Sequence, residues 1–389
     1  MPLDLVDILS RTLYLVENKS LSVDVAFKKI CRGRICAKSL EERERVYNAA
    51  WRFVARYIML RCLYPKASRK KLARIFVSME LNKDQYVWGN LDPWCRYSVP
   101  KWFYEELGSL LGGEVDALME SLDRRVRWLR INTIKASEEK ILRVLEEEAV
   151  VERDRDLWYL YKIIDTKKPV RLLKAVKQGI AIPQDKASCL VVEALEPQPG
   201  DLILDMTSAP GMKASLIAML TEGRARIVAL DLSKRRVLAM RNLVRRLGVS
   251  GCMDIAVTDS RFFSSPRLFD KVLLDAPCSS SGAIAKEPAV RLHLIRRGKV
   301  EYYSRIQEDL LRRAIDLGSE VVYSTCSLLP EEGEEVVLKI IRSAGRLLAR
   351  PRINASGGYG VYEISGEVSR TFPHIHESEG FFIAKLVKH

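Results

Sequence analysis

Two cysteines stand where predicted strands end in the carboxy-terminal half of the chain. Cys278 lies in the run LLDAPCS (273–279), and Cys326 lies in the run VVYSTCS (321–327). Each run begins with Val or Leu, which predicts a buried parallel strand. In open α/β folds, ligands bind at the carboxyl ends of such strands. Thiols in these positions are placed to attack a substrate, although either one alone could equally be a buried structural cysteine.

A third predicted strand, residues 202–205, runs into the loop MTSAPGMK (206–213) and then into a helix from Ala214. A tight loop at a helix start offers unpaired backbone amides to a ligand. In this loop Gly211 would allow a close approach, and Lys213 would meet a carboxylate or a phosphate. The loop is not a phosphate-binding loop, because the second Gly and the Gly-Lys-Ser/Thr ending are missing.

Acidic residues end the next two predicted strands. Asp231 follows the run IVAL (227–230), and Asp259 comes after residues 254–257. A carboxylate in the position of Asp231 commonly accepts hydrogen bonds from ribose hydroxyls, which predicts an adenosine-containing ligand such as NAD or S-adenosylmethionine. Asp231 could equally cap the following helix. The Asp259 carboxylate would reach the adenine amino group.

The amino-acid composition limits which classes of protein this chain could belong to. The 389 residues are 48% hydrophobic and 29% charged, as in ordinary globular proteins. No apolar run approaches the ~20 residues of a membrane span, and the chain does not open with a signal peptide. The eight cysteines lack the spacing of a zinc site, so we expect reduced thiols and no metal. We therefore expect a cytoplasmic monomer.

The net charge is +14, which favours a polyanionic partner, although a basic surface can also serve solubility alone. Much of the excess lies in residues 1–90, which hold 18 basic and 9 acidic side chains. A nucleic-acid surface is predicted there. Arg and Glu abound while Asn and Gln are scarce, a pattern typical of thermophiles.

The chain is predicted to contain three domains. In residues 1–90 apolar side chains recur at helical spacing, which predicts an all-helical domain. Residues 91–182 hold predicted strands at 126–132 and 157–163 with a helix at 137–148 between them, a small α+β module. In residues 183–389 strands alternate with helices, which predicts an α/β fold with a doubly wound sheet.

These motifs together closely resemble the RNA cytosine carbon-5 methyltransferases of the Sun/RsmB/NSUN group. The specific parts are SAPGMK (208–213), DAPCS (275–279) and YSTCS (323–327) with the acidic run PEEGEE (330–335) behind it. The resemblance implies a class I Rossmann-like methyltransferase domain, preceded by an RRM-like module and a NusB-like RNA-binding domain. Met212 and Thr207 depart from the family, which usually has Gly or another small or polar residue at the first position and Cys or Ala at the second.

The resemblance also implies roles. Cys326 would attack carbon 6 of cytosine, Cys278 would assist product release, and Asp275 would hydrogen-bond the cytosine amino group and ring nitrogen 3, with Lys213 completing the catalytic set. The cofactor would be S-adenosylmethionine, and the partner would be rRNA or tRNA. The implied cofactor-binding residues are Thr207, Ser208, Ala209, Pro210, Gly211, Met212, Lys213, Asp231, Arg236, Asp259 and Asp275.

Three other functions fit the residues less well. A DNA cytosine methyltransferase would use the Pro-Cys thiol as nucleophile and normally continue with Gln, whereas Ser279 follows Cys278. An RNA-binding assembly factor on a decayed methyltransferase fold would be expected to have lost a cysteine or the cofactor loop. A dehydrogenase would carry Gly-x-Gly-x-x-Gly, which is absent.

Overall fold

The computed structural model describes residues 4–32, 36–37, 39–82, 91–345 and 347–388. They divide into two compact units, one of Met1–Arg125 with Ser279–Lys299 and one of Val126–Cys278 with Val300–His389. The predicted boundary at residue 90 falls at the end of segment 83–90, which lies outside the described residues. The observed division comes later, because helices continue up to Ser121.

The first unit is helical, as predicted for its amino-terminal part. Asp4, Ser22 and Ser39 cap its first three helices, each side chain accepting a backbone N–H three residues on. Leu13 and Phe53 are buried in its core. Its helices up to residue 125 are α1 (Leu5–Lys19), α2 (Val23–Ile30), α3 (Leu40–Ala55), α4 (Tyr57–Leu63), α5 (Arg69–Asn82), α6 (Pro93–Arg96), α7 (Lys101–Leu111) and α8 (Val115–Ser121).

Two disulfides lie in this unit, so the prediction that all eight cysteines are reduced is wrong for four of them. Cys31 ends α2 and is bonded to Cys36, and Cys62 on α4 is bonded to Cys95 on α6. The Cα atoms lie 5.3 and 6.1 Å apart, within the range that a disulfide spans. Cys62 and Cys95 are 33 residues apart and are brought together by the packing of α4 and α6, whereas Cys31 and Cys36 are only five residues apart.

The second unit opens with a small antiparallel sheet of order β2-β3-β1-β4. Its βαββαβ chain order is that of ferredoxin-like folds, which agrees with the predicted α+β module. The predicted strands at 126–132 and 157–163 correspond to β1 and β3. The elements are β1 (Trp128–Ile131), α9 (Glu138–Glu146), β2 (Ala149–Arg153), β3 (Leu160–Thr166), α10 (Lys174–Gln178) and β4 (Ala181–Pro183).

The larger sheet has the order β10-β12-β9-β8-β5-β6-β7, with β11 paired to β12. The five strands from β9 to β7 are parallel, and β12 is antiparallel to β9. The elements are α11 (Lys186–Leu195), β5 (Leu202–Asp205), α12 (Met212–Leu220), β6 (Arg226–Asp231), α13 (Lys234–Leu247), β7 (Met253–Val257), β8 (Phe269–Asp275), α14 (Ala289–His293), α15 (Gly298–Leu317), β9 (Gly318–Thr325), α16 (Glu334–Ala344), β10 (Leu347–Ala349), β11 (Ser369–Thr371), α17 (Pro373–His376) and β12 (Phe381–Val387).

Helices cover both faces of this sheet. Ile203 of β5 packs with α11, α12 and α13 in one core, while its neighbour Leu204 packs with α15 and α16 in another. Successive side chains of a strand point to opposite faces, so both faces must be apolar. This arrangement is the predicted doubly wound α/β fold.

The segment 279–299 carries α14 and belongs to the first unit. Arg291 is 1% exposed, and it donates to the Tyr97 carbonyl at 2.5 Å and to Asp123 Oδ1 at 2.6 Å. A buried guanidinium that lost these acceptors would be strongly destabilising. Removal of residues 1–125 would therefore leave the Arg291 guanidinium without its acceptors Tyr97 and Asp123, so these residues cannot be deleted as an independent domain.

None of the described helices is both long and apolar enough to cross a membrane. In the same residues, no three His, Cys, Asp or Glu side chains gather as a metal site would require.

Candidate active site

The two strand-end cysteines meet at one edge of the large sheet. Strands β8 and β9 are parallel neighbours, with Asp275 opposite Ser324. The chain segments that follow them therefore leave the sheet side by side, and the Sγ atoms of Cys278 and Cys326 lie 3.2 Å apart. This distance exceeds the ~2.05 Å of a disulfide bond, so both sulfurs are thiols. Both side chains are half-buried and can meet a substrate.

Asp275 and Lys213 form an ion pair beside the thiols. Lys213 Nζ donates to Asp275 Oδ2 at 2.6 Å, and Ser324 Oγ donates to Oδ1 at 2.9 Å. Burial would lower the pKa of Lys213, but the Asp275 carboxylate and the nearby Cys326 and Asp205 outweigh it and raise that pKa. The site thus holds an oriented carboxylate and, near Cys326, a lysine cation.

A buried glutamate fixes the turn that carries Cys326. Glu332 is fully buried, and its Oε2 accepts from Ser327 Oγ at 2.6 Å. Its backbone carbonyl accepts from Tyr323 Oη at 2.8 Å and from Thr325 Oγ1 at 3.0 Å. The side chains of Thr325 and Ser327, on either side of Cys326, are therefore both hydrogen-bonded to Glu332. The sequence marked this glutamate only as part of an acidic run.

Gln307 of α15 connects the two cysteine segments. Its Nε2 donates to the Pro277 carbonyl at 2.8 Å, and its Oε1 accepts from Tyr323 Oη at 3.2 Å. Pro277 precedes Cys278, and Tyr323 lies on the strand that leads to Cys326. Sequence reasoning missed Gln307, because it lies on a helix between the two motifs and belongs to neither.

A fully buried ion pair supports the same turn from the other side. Arg370 Nε and Nη2 donate to the two oxygens of Glu334 at 2.8 and 2.5 Å, and both side chains are 0% exposed. Arg370 Nη1 also donates to the Ser327 carbonyl at 3.0 Å. Burial would lower the pKa of Arg370, but attraction to Glu334 outweighs it and raises that pKa. The guanidinium therefore joins the segment after Cys326 to α16.

Backbone amides of the loop after β5 donate hydrogen bonds to other groups of the same chain. Ser208 N donates to the Leu230 carbonyl at 2.7 Å, Ala209 N to Asp231 Oδ2 at 3.2 Å, and Gly211 N to the Ser208 carbonyl at 2.6 Å. The prediction that this loop offers unpaired amides to a ligand is therefore wrong for these three groups. The first two are satisfied because the loop folds back on the end of β6, and the Gly211 amide is satisfied by a turn within the loop.

Gly211 is required for packing between helices. Its φ is +95°, and a Cβ atom there would lie 2.8 Å from Met240 Cγ on α13. The close approach that the sequence predicted for Gly211 is thus to a neighbouring helix. Met212, the residue that departs from the family pattern, begins α12 and packs half-buried against the core. Pro210, which precedes Gly211, is exposed.

Three carboxylates lie at the carboxyl ends of β5, β6 and β7: Asp205 and Asp231 are the last residues of their strands, and Asp259 follows β7 by two residues. Asp205 is buried, its Oδ2 has no hydrogen-bond partner among the described residues, and burial raises its pKa to about 7. Asp231 accepts from the amides of Ala209 and Ser233. Asp259 accepts from Arg261 Nη2 at 2.7 Å, a bond that lowers the pKa of Asp259. Such a pocket suits a ligand with hydroxyl and cationic groups better than a phosphate.

Two of the predicted cofactor residues, Arg236 and Thr207, contact other predicted site residues. Arg236 Nη1 lies 3.3 Å from Asp231 Oδ2, and Arg236 Nη2 donates to the Ala209 carbonyl. Thr207 Oγ1 donates to the Asp275 carbonyl at 2.7 Å. Each side chain therefore holds a neighbouring predicted site residue, whether or not it also touches a ligand.

Exposed apolar side chains next to these carboxylates were missed by sequence reasoning. Leu232 follows Asp231 and is 68% exposed, and Phe262 lies three residues after Asp259 and is 79% exposed. Ser208 Oγ, like Asp205 Oδ2, is buried without a partner among the described residues. Unpaired polar atoms next to exposed apolar surface fit a nucleoside, which has both kinds of group.

Known proteins are similar to this chain in sequence and in fold. A family model described as 16S rRNA methyltransferase RsmB/F matches residues 192–387. The chain is 31% identical over 329 residues to the 25S rRNA (cytosine-C(5))-methyltransferase nop2 of Schizosaccharomyces pombe, in a match covering 79% of this chain but only 54% of that protein. It is 33% identical over 276 residues to the tRNA (cytosine(49)-C(5))-methyltransferase of Pyrococcus abyssi, covering 67% and 87% respectively.

The fold is shared with a solved structure over its full length. The crystal structure of PH0851 superposes with a TM-score of 0.81 and 23% identity, covering 100% of both chains. The paired thiols that follow β8 and β9 lie within the residues that the family model matches. By these likenesses the chain belongs to the RsmB/F family of RNA methyltransferases.

Proposed function

We propose that this protein is an S-adenosylmethionine-dependent RNA (cytosine-5)-methyltransferase that forms 5-methylcytosine through a covalent cysteine–cytosine intermediate. The observation that carries the proposal is the 3.2 Å approach of two thiols at the ends of adjacent strands. Beside them lies the ion pair between Asp275 and Lys213. A nucleophile, a second proton-transfer group and a carboxylate are the three groups that this chemistry needs.

Cys326 supplies the nucleophile. Carbon 5 of cytosine is a poor nucleophile, but addition of the Cys326 thiolate to carbon 6 makes it enamine-like. Carbon 5 can then form a bond to a methyl group. Lys213, whose raised pKa keeps it protonated, stabilises the thiolate before addition.

Asp275 would hold the base. One carboxylate oxygen is bonded to Lys213 and the other to Ser324, so its direction is fixed before the substrate arrives. From there it would accept a hydrogen bond from the cytosine amino group and share a proton with ring nitrogen 3. This contact stabilises the charge that addition places on the ring.

Cys278 completes the cycle. After methyl transfer, the carbon-5 proton must leave, and its bonding electrons expel the Cys326 thiolate from carbon 6. Cys278 lies against Cys326 and, once its own thiol proton has passed to solvent, would take the carbon-5 proton directly or through water. The methylated base is then released, and transfer of that proton to solvent prepares Cys278 for the next turnover.

The residues around the β5 loop fit S-adenosylmethionine. Asp231 would bind the ribose hydroxyls, Leu232 would cover the adenine, and the partnerless Oδ2 of Asp205 would meet a positively charged group. When bound, the sulfonium supplies the methyl group. Internal bonding of the loop amides argues against a dinucleotide, which would need them for its pyrophosphate.

The RNA partner is rRNA or tRNA. The two relatives described above act, by their names, on 25S rRNA and on tRNA. The basic helical unit would raise affinity for RNA, as expected of a NusB-like domain, and the protein would work as a cytoplasmic monomer.

Methyl transfer can be measured directly. We expect the purified protein to transfer labelled methyl groups from S-adenosylmethionine to unmodified rRNA or tRNA transcripts. Mass spectrometry of the digested RNA should then show 5-methylcytidine. Label on another nucleoside, or none on any RNA while the cofactor binds, would refute the proposal.

Asp231→Asn should weaken S-adenosylmethionine binding by about 1–3 kcal/mol, because the ribose loses an ionised acceptor. Isothermal titration calorimetry measures this affinity. Asp254→Asn is the matched control, because Asp254 is an exposed carboxylate of the next strand, paired to Arg226. Equal affinities for the two folded variants would remove the ribose role from Asp231.

A further inference from the structure

Helix α13 carries an unusual charge. Its 14 residues, KRRVLAMRNLVRRL, include six Lys or Arg and no Asp or Glu. Its first turn is basic, although cations near a helix N-terminus oppose the helix dipole. Like charges four residues apart on a helix also repel. The last-turn Arg245 and Arg246 suit the helix dipole, but the basic first turn and the Arg241–Arg245 repulsion work against the stability of this helix.

The charges form one exposed face. Val237, Met240, Val244 and Leu247 are buried against the sheet. Lys234, Arg241 and Arg245 are exposed along one flank of the helix and lie nearly in line, since offsets of seven and eleven residues return to the same side of a 3.6-residue helix. Arg241 Nη2 donates to the Ile255 carbonyl of β7 at 3.2 Å. The line extends over about 16 Å at 1.5 Å per residue. Arg235 and Arg246 are exposed beside it.

These cations lack acidic partners. Among the described residues, Lys234, Arg235, Arg241, Arg245 and Arg246 form no ion pair. The sixth cation of the helix, Arg236, is the one paired with Asp231.

Several exposed cations elsewhere in the second unit have such partners, whereas others, such as Lys140 and Arg267, have none among the described residues. Arg224 pairs with Glu222, Lys339 with Glu308 and Arg342 with Glu363. A face kept for solubility would be expected to mix both signs in the same way.

The positive surface continues past the end of α13. Lys135 Nζ donates to the carbonyls of Gln178 and Arg246, which brings two turns of the small module against the helix C-terminus. The exposed Lys177 lies next to Gln178. Cations from three chain segments of the second unit thus gather around one helix end.

We propose that the exposed face of α13, formed by Lys234, Arg241 and Arg245 with Arg235 and Arg246 beside them, binds phosphates of the substrate RNA backbone. The inference rests on the proposed function for its partner. The first turn of α13 begins three residues after Asp231, whereas its last turn meets the small module. RNA held along it would extend from the cofactor pocket towards that module.

A charge-matched pair of variants tests this surface. One replaces Lys234, Arg241 and Arg245 by Gln. The other makes K339Q, R342Q and R224Q, which remove the same charge from paired sites of the same unit. The α13 variant should bind RNA roughly tenfold or more weakly near 0.1 M salt. Its plot of log affinity against log salt should be shallower by about 2–3 units, since each lost phosphate contact removes ~0.7–0.9.

The control should stay within about threefold of wild type with an unchanged slope, and both variants should bind S-adenosylmethionine as wild type does. Equal slopes for the two variants would overturn the inference. A loss confined to the α13 variant supports it even if the wild type forms no 5-methylcytidine, a result that would refute only the proposed function. Circular dichroism of each variant verifies folding.

Discussion

Cys326→Ala is expected to lose methyl transfer and covalent RNA binding together, whereas Cys278→Ala is expected to accumulate an adduct. Removal of the nucleophile blocks the first bond, and roughly 10³-fold or more of the rate should be lost. Removal of the base acts after that bond has formed, so the thioether between Cys326 and carbon 6 persists. Denaturing electrophoresis with labelled RNA, in the presence of S-adenosylmethionine, separates the two outcomes.

Cys252→Ala is the matched control for these variants. Cys252 is a half-buried, unbonded thiol of the same unit, and its Sγ contacts only the Val249 carbonyl in the hydrogen bonds described. We expect it to retain methyl transfer. An adduct in Cys326→Ala but not in Cys278→Ala would reverse the roles and indicate the DNA-type use of the Pro-Cys thiol.

Arg370→Met should lower the free energy of unfolding of the second unit by about 3–5 kcal/mol, because it leaves the Glu334 carboxylate buried without its cation. The Ser327 carbonyl would also lose its donor. Guanidinium denaturation followed by the fluorescence of Trp128 and Trp158 would report this loss.

A second substitution separates charge from shape at this site. Arg370→Met combined with Glu334→Leu should recover much of the loss, since an apolar pair of similar volume leaves no buried charge. Arg342→Met breaks an ion pair with Glu363 whose side chains are 69% and 66% exposed, and it should cost under ~1 kcal/mol. An Arg370→Met variant as stable as Arg342→Met would contradict the supporting role.

The sequence predicted the elements whose signal is local. The apolar run at 202–205 is β5, and β6, β7, β8 and β9 end at or just before Asp231, Asp259, Cys278 and Cys326 as predicted. A buried parallel strand requires a continuous apolar run, so the end of the strand can be predicted from the amino-acid sequence alone. The meeting of Cys278 and Cys326 then follows from the pairing of β8 with β9.

Features that depend on contacts distant in sequence were not predictable. Arg370 and Gln307 reach the cysteine segments from elements with no motif of their own. The amides of Ser208 and Ala209 donate to the end of β6, which no local pattern reveals. Arg291 lies in a segment between two strands of the sheet, yet is buried in the first unit. In each case a polar group finds its partner only after the chain has folded.

The most direct test of the account is to locate the covalent bond. Cys278→Ala would be incubated with S-adenosylmethionine and substrate RNA, digested with nuclease and protease, and the modified peptide sequenced by mass spectrometry. The account predicts one nucleotide, carrying a methylated cytosine, attached to Cys326. A nucleotide on another residue, or an absence of adduct while Cys326→Ala still methylates RNA, would contradict it.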